Sequence, residues 1–403
     1  MPHLNKILYT TTSYLPAIGG AQLHTHRIAQ RIANECSVQV LTHWDEHRTD
    51  WLLGTTLCAP TTPKFYVYDG VPVERIALTR SERYRLWPYV FGYYAIKGVA
   101  ISKIAAVLRP KIHRLAQGVD LIQNSRIGRE PLSFASLQVA RQLDVPFVFV
   151  PYHHPRWVGW NYRQYLDLYR QADALIALTE AEKQTLIQLG VSEARIFVTG
   201  NGPNVADHGD GTRFRQKYQI PDKVPMILFL GQKYRYKGIS YLLEATRLVW
   251  QSWPDSYFVF IGPQTRYSQK MFQSVPQSEQ RIIEIGTVDL QTKTDALSAC
   301  TLLCVPSNQE SFGGVYTEAW MFNKPVIGVD IPAVREVIDD EINGYLVSQN
   351  TQSIACRINH LLAHPETATS MGQAGRQKVI SHYNWDTLAK KTAEIYQRVI
   401  SRY

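Results

Sequence analysis

The decisive stretch is Glu310-Ser311-Phe312-Gly313-Gly314-Val315-Tyr316-Thr317-Glu318-Ala319-Trp320-Met321-Phe322-Asn323-Lys324-Pro325-Val326-Ile327-Gly328, preceded by the apolar run Leu302 to Pro306. It reads as a buried strand running into a loop that holds one Glu. A Gly-Gly pair then frees backbone amides at the mouth of a helix, whose first or second turn carries a second Glu. Helix N-termini offer N–H groups without intrahelical partners and a partial positive charge to anions. Carboxylates accept from hydroxyls. Such a segment can hold a sugar and an anion together. The spacing alone decides nothing, because Glu74 and Glu82 are also eight apart with no Gly-rich turn between them. The strand, loop, Gly-Gly and helix around Glu310 and Glu318 give the pair its meaning.

Working outward, 403 residues exceed one typical core and suit two domains. With 45% hydrophobic and 19% charged residues the composition is that of a soluble globular protein. Five Cys (36, 58, 300, 304, 356) form no C-x-x-C pair, and an odd number argues against a disulfide framework. The N-terminus shows no basic region followed by a long apolar run, and no stretch is apolar enough to span a bilayer. A cytosolic protein is expected.

The net charge of +9 is unevenly spread. From Arg75 to Arg114 there are nine Lys or Arg against one acid, Glu82, interleaved with Tyr84, Trp87, Tyr89, Phe91, Tyr93 and Tyr94. Arg80, Arg83, Arg85, Trp87, Lys97 and Lys103 mark this stretch as a membrane or acceptor surface, since basic plus aromatic composition suits an interfacial helix on an anionic membrane. The same composition fits a half-buried helix with a solvated basic face and, less well, a nucleic-acid surface.

Short apolar runs alternate with amphipathic helical patterns, the signature of α/β architecture with parallel sheets. Lys6 to Ser13 is the first predicted strand, followed by a helix over Ala21 to Asn34 with Leu23, Ile28 and Ile32 on its buried face. Further strands are predicted at 37–42, 120–124, 146–151, 174–178 and 195–199. A fresh series covers 226–230, 257–261, 281–286, 302–306 and 325–329. The break falls in the Gly-, Pro-, Asn- and Asp-rich stretch Asn201 to Pro225. Two Rossmann-type halves facing across a cleft are expected, with ligands beyond the carboxyl ends of the strands.

Four strand-end loops then carry chemistry. Tyr14-Leu15-Pro16-Ala17-Ile18-Gly19-Gly20 precedes the first helix; adjacent glycines permit close backbone approach, and the absence of G-x-G-x-x-G argues against a dinucleotide fingerprint. Pro151-Tyr152-His153-His154-Pro155 ends a very apolar strand, where His153, and less so His154, can bond a hydroxyl or shuttle a proton. Gly231-Gln232-Lys233-Tyr234-Arg235-Tyr236-Lys237-Gly238 sets three cations beside a Gly, the counter-charge a departing diphosphate needs. Asn201-Gly202 reads as a turn at the hinge. No metal-ligating cluster is legible.

These residues resemble a known family. Glu310-Ser311-Phe312-Gly313-Gly314, Glu318-Ala319 and Lys324-Pro325-Val326-Ile327 are similar to the E-x7-E region of glycosyltransferase family 4, retaining enzymes of GT-B fold. Gly19-Gly20, Asn201-Gly202 and Lys237-Gly238 look like its other landmarks in the right order. The resemblance implies an acceptor domain over 1–200 plus 385–403, completed by a last helix from Asp386 to Arg402, and a donor domain over 201–384. It implies that Glu310 meets the donor sugar near the Phe312 and Gly313 amides. Gly314 and Val315 would meet phosphate, and Glu318 the ribose hydroxyls. Lys237, helped by the Gly20 backbone, would neutralise the diphosphate, with His153 near the reacting sugar. The family usually carries Arg where Gln232 stands. A neutral amide replaces neither the charge nor the fork of a guanidinium, which leaves Lys233 or Arg235 to compensate.

The implied reaction is retaining transfer of a sugar from a nucleotide-sugar to a hydroxyl acceptor by front-face attack, with no obligatory cofactor or metal. The acceptor is expected to be a glycolipid, polysaccharide or lipid-linked molecule, and the enzyme to act peripherally on the inner face of a membrane. The alternatives are a nucleotide-sugar hydrolase or epimerase on the same scaffold, and a non-catalytic sugar-nucleotide-binding protein.

Overall fold

The computed structural model describes residues 4–17, 19–46, 51–153, 163–276 and 279–403. The chain divides into two compact units, Met1–Gly200 with Trp385–Tyr403, and Asn201–Asn384.

In the first unit the strands are β1 (Lys6–Ser13), β2 (Ser37–Trp44), β3 (Lys64–Tyr68), β4 (Val71–Arg75), β5 (Leu121–Ser125), β6 (Phe147–Val150), β7 (Ala174–Ala177) and β8 (Ile196–Val198). They form one sheet in the order β3-β4-β2-β1-β5-β6-β7-β8. Only β3 and β4 pair antiparallel. The sheet is covered on both faces, so its strands read as unbroken apolar runs. Leu8, Leu41, Ile122 and Phe149 point into one core, under the helices Arg80–Phe91, Lys97–Leu115 and Pro131–Leu143. Ile7, Tyr9, Val40 and Val148 point into the other, under Gly20–Ile32 and the last helix. Polar residues on β1 are buried and satisfied: the Asn124 amide donates to the Thr10 carbonyl (3.0 Å) and hydroxyl (2.8 Å).

The β3–β4 hairpin is absent from the strands expected above. Its signal is Asp69-Gly70, both at positive φ (45° and 81°), a two-residue turn of the kind that hairpins favour. Pro72 interrupts the strand pattern after it, and a search for parallel strands passes over the segment. The strand Gly344–Val347 of the second unit is likewise absent from the strands expected above. The other strands agree with expectation to within one or two residues.

In the second unit β9 (Met226–Leu230), β10 (Tyr257–Ile261), β11 (Ile282–Ile285), β12 (Leu302–Val305), β13 (Val326–Val329) and β14 (Gly344–Val347) are all parallel. Their order is β11-β10-β9-β12-β13-β14, the 3-2-1-4-5-6 order of doubly wound sheets. The order reverses between β9 and β12, and sheets of this kind bind ligands beyond the carboxyl ends of the strands at such a reversal.

The last helix, Trp385–Ile400, belongs to the first unit, where Leu388 and Tyr396 are fully buried. The Tyr9 and Tyr396 hydroxyls lie 3.0 Å apart, and Arg31 pairs with Asp386 at 2.6 Å. Leu388→Ala is expected to cost about 2–5 kcal/mol, read as a lower urea midpoint for the first unit. A midpoint equal to wild type would show that the helix adds no stability.

Two buried histidines contribute to the acid limb of stability. Burial pushes His24 from 6.5 down to about 4, and His43 down to about 3. Each is neutral in the fold and protonates more readily when unfolded. Their contribution is therefore complete above about pH 6.5 and is lost as pH falls from there toward the folded values. The wild-type urea midpoint is expected to fall between pH 7 and pH 5, and to fall less in His43→Asn. Parallel pH dependence in the two proteins would remove His43 as a cause.

Candidate active site

Among the described residues, the loops after β9 and β12 converge at the switch point of the second sheet. After β9 the chain turns through Gly231 to a short 3-10 turn, Arg235–Lys237, closed by Gly238 in the left-handed conformation (φ 72°). A Cβ on Gly238 would sit 2.2 Å from the Pro306 carbonyl at the end of β12. Only glycine permits both the φ and this approach. Gln349, just past β14, braces the same junction by donating to the carbonyls of Tyr236 (3.1 Å) and Pro306 (2.7 Å). The Asn308 backbone N–H adds a bond to the Tyr236 carbonyl (3.0 Å). So held, the Lys237 ammonium meets the Glu310 carboxylate at 2.5 Å, both side chains mostly buried.

Beyond Glu310, Phe312 is buried edge-on against the Tyr383 ring, with centroids 5.2 Å apart. Gly313 takes φ 85°, and a Cβ there would strike the Tyr316 ring. Tyr316 is fully buried and donates to the Val305 carbonyl (2.9 Å), which ties the turn to the end of β12. The helix Gly314–Trp320 begins without a side-chain cap and spans seven residues. Asn201 lies alongside: a Cβ on Gly314 would be 3.1 Å from its Nδ2. Val315 is half-buried, and Glu318 is buried with Oε1 bonded to Lys293 at 2.8 Å. Glu318 Oε2 is buried with no hydrogen-bond partner among the described residues. A buried carboxylate oxygen in that state is an acceptor awaiting a donor.

Lys233 stands differently from the expectation placed on it. Its side chain is fully buried, pairing with Glu284 (3.0 Å) and donating to the Ile285 carbonyl (2.8 Å), while burial lowers its pKa. Its ammonium thus faces the end of β11 and not an open loop. Gln232 and Arg235 are exposed. Arg235 is the exposed cation that remains beside Lys237. Lys293 and Gln349 escaped sequence reading, because neither lies in a Gly-rich or strand-end motif and their partners are distant in sequence.

In the first unit, Gly19 is extended (φ −168°), and a Cβ on Gly20 would meet nothing within 4 Å. A Cβ on Gly19 would meet only the movable end of the Gln22 side chain, at 2.3 Å from Oε1, so no backbone contact demands either glycine. The Tyr152 hydroxyl reaches His24 Nδ1 (2.9 Å) and the Ala21 carbonyl (3.3 Å), which brings the Gly20 turn beside the loop of His153. His153 is buried; its backbone N–H donates to Glu182 (2.5 Å), and its Nδ1 lies 3.3 Å from the Tyr169 hydroxyl. Glu182 is a positioning residue without a legible signal, since it lies 29 positions away. His154 and Ile18 lie outside the described residues.

The basic segment needs one correction. Lys97 is no surface residue: it is buried and pairs with the fully buried Glu130 at 2.8 Å. Arg83 is half-buried and donates to the Ala59 carbonyl. Arg80, Arg85, Trp87 and Lys103 are exposed.

A protein-family model described as a glycosyl transferase 4-like domain matches residues 19–202, and one described as glycosyl transferases group 1 matches residues 210–378. Alpha-maltose-1-phosphate synthase of Mycolicibacterium smegmatis is 27% identical over 249 residues, 57% of this chain and 64% of that protein. Over this and three further curated relatives the match spans 58 to 64% of their length. Among solved structures, Anabaena HepE in complex with UDP and glucose superposes with a TM-score of 0.74 at 20% identity, covering 98% of this chain and 100% of that one. Sucrose-phosphate synthase of Thermosynechococcus elongatus gives 0.73 at 18% identity, covering 99% and 100%. No helix among the described residues is long and apolar enough to cross a membrane. With its two domain matches in this order on two doubly wound units, the chain belongs to the glycosyltransferases of GT-B fold.

Proposed function

We propose that this protein transfers a sugar, with retained anomeric configuration, from a nucleoside-diphosphate sugar to a hydroxyl acceptor. The observation that carries the reading is the Lys237–Glu310 pair at the β9/β12 switch point, with the open Glu318 Oε2 nearby. Lys237 supplies positive charge where a diphosphate departs, and Arg235 stands beside it in place of the guanidinium that Gln232 lacks. Glu310 accepts from the sugar hydroxyls, and Glu318 Oε2 accepts from the ribose while Lys293 holds Oε1. The resemblance to HepE, solved with UDP and glucose, supports a uridine nucleotide as the first donor to test.

Each carboxylate is paired with an ammonium group through one oxygen, unlike the unpaired carboxyl in an apolar pocket that serves as a general acid. They are therefore read as a clamp on the donor and not as the acid and nucleophile of a glycosidase. In the transfer step the bond from the anomeric carbon to the phosphate oxygen breaks, and a bond to the acceptor oxygen forms on the same face. The acceptor proton passes to the departing phosphate oxygen, and the nucleoside diphosphate leaves. The first unit holds the acceptor in this reading.

Lys237→Ala is expected to lower kcat about 10²–10³-fold. Glu318→Gln is expected to raise the donor KM about tenfold and leave kcat nearly unchanged. Glu310→Ala should lower kcat/KM, with the loss varying from sugar to sugar. Turnover that survives all three changes across a donor panel would refute the site. Product analysis by NMR reads the anomeric configuration. Free sugar or an epimer formed without acceptor would favour a hydrolase or epimerase, and donor binding without turnover a non-catalytic binder.

A further inference from the structure

The hairpin of helices Arg80–Phe91 and Lys97–Leu115 carries apolar residues on both of its faces. Leu86, Val90, Tyr93, Ile101 and Ile104 fill the core beneath it. Tyr84, Trp87 and Phe91, at i, i+3 and i+7 on one helix, remain 82%, 56% and 67% exposed. Trp87 and Phe91 touch, their ring centroids 4.7 Å apart. Tyr94, Ile96 and Val99 continue the exposed apolar surface around the turn. Folding has no use for this face, and an apolar patch of this kind marks an interaction surface.

Its charge identifies the partner. Arg80, Arg85 and Lys103 are exposed around the aromatic stripe and form no ion pair among the described residues. The sole acid between residues 76 and 119, Glu82, is engaged by Lys111 (2.8 Å) and by the N-cap of its own helix at Thr79. The face is therefore aromatic and uniformly positive. A two-fold contact with a second copy would set cations against cations. A bilayer surface of anionic lipid meets both features, with phosphates for Arg and Lys and an interfacial layer for Trp, Tyr and Phe.

We infer that the 80–103 hairpin docks this protein on anionic bilayer surfaces, through Tyr84, Trp87 and Phe91 with Arg80, Arg85 and Lys103. The hairpin is braced for docking as a rigid body. Lys97 pairs with Glu130, the Tyr93 hydroxyl donates to the same carboxylate (2.7 Å), and Arg129 donates to the Tyr94 hydroxyl (2.5 Å). Glu130 and Arg129 lie in the loop after β5, at the carboxyl end of the first sheet. Docking therefore holds that loop near the lipid. If the first unit takes the acceptor, as proposed above, the acceptor class that fits is a hydroxyl compound anchored in the bilayer.

The test is co-flotation of the full chain with vesicles of phosphatidylcholine alone and of phosphatidylcholine with phosphatidylglycerol, at low and high salt. Wild type is expected to float with the anionic vesicles at low salt, less at high salt, and not with phosphatidylcholine. Each exposed cation removed should lower partitioning about fivefold, so that Arg80→Glu combined with Arg85→Glu and Lys103→Glu abolishes flotation. Trp87→Ala with Phe91→Ala should weaken binding about tenfold at unchanged charge. The positions are exposed, and an unchanged thermal midpoint checks that each variant folds. A wild type that never floats overturns the inference, whether it sediments as a monomer or as a dimer broken by Trp87→Ala. Aromatic variants that bind as tightly as wild type also overturn it. Stabilisation by UDP-sugars is read on the same preparations: its loss with flotation intact counts against the transfer reading alone.

Discussion

The contact between the Gly238 backbone and the Pro306 carbonyl is the constraint on which the site depends. Parallel strands in the 3-2-1-4-5-6 order leave their loops diverging at the reversal between β9 and β12. Something must draw those two loops together if one ligand is to touch both. Here it is done without side-chain bulk: a left-handed glycine lets the backbone pass against a carbonyl, and Gln349 then bonds to both loops at once. Lys237 follows from this, since it precedes the glycine, and Glu310 follows Pro306 by four positions. Their 2.5 Å pairing results from that backbone closure. A second closure operates at Gly313, where the missing Cβ makes room for Tyr316 to reach Val305.

A buried polar group left over after the fold is satisfied invites a ligand more directly than a paired charge does. The second unit carries several ion pairs, and most complete both partners. Lys233 with Glu284 is such a pair, although sequence places it in the middle of a basic loop. Glu318 is different. Lys293 occupies one oxygen, and the other is buried with no donor among the described residues. Leaving it so costs stability, on the order of 1–3 kcal/mol for an unsatisfied buried acceptor. In the proposed function a donor hydroxyl would remove that cost on binding.

Local patterns are the legible ones. Glu310 to Glu318 lie on one strand–loop–helix, and Gly231 to Gly238 on another, so each half of the candidate site is contiguous in sequence. The parallel strands were legible because burial on both faces leaves unbroken apolar runs such as Met226 to Leu230. Failures share the opposite character. Lys293, Gln349 and Glu182 act through partners 25, 43 to 113 and 29 positions away, and no local pattern announces them. Lys233 and Lys97 look like surface cations because their carboxylates, Glu284 and Glu130, are distant in sequence. The β3–β4 hairpin is the exception, for its Asp69-Gly70 turn is local and present in the sequence.

The basic segment shows why charge must be sorted before it is interpreted. Of its nine cations, Lys97, Arg114, Lys111 and Arg75 pair with Glu130, Glu74, Glu82 and Asp45, and Arg83 binds a carbonyl. These groups hold the first unit together and offer an outside partner little. If the whole segment were a charged patch, Tyr84, Trp87 and Phe91 would be incidental to it. Once the structural cations and the half-buried Arg109 are set aside, three exposed cations flank the exposed rings. Electrostatics then attracts and the rings hold, a division of labour that an anionic interface satisfies and a purely polyanionic partner does not.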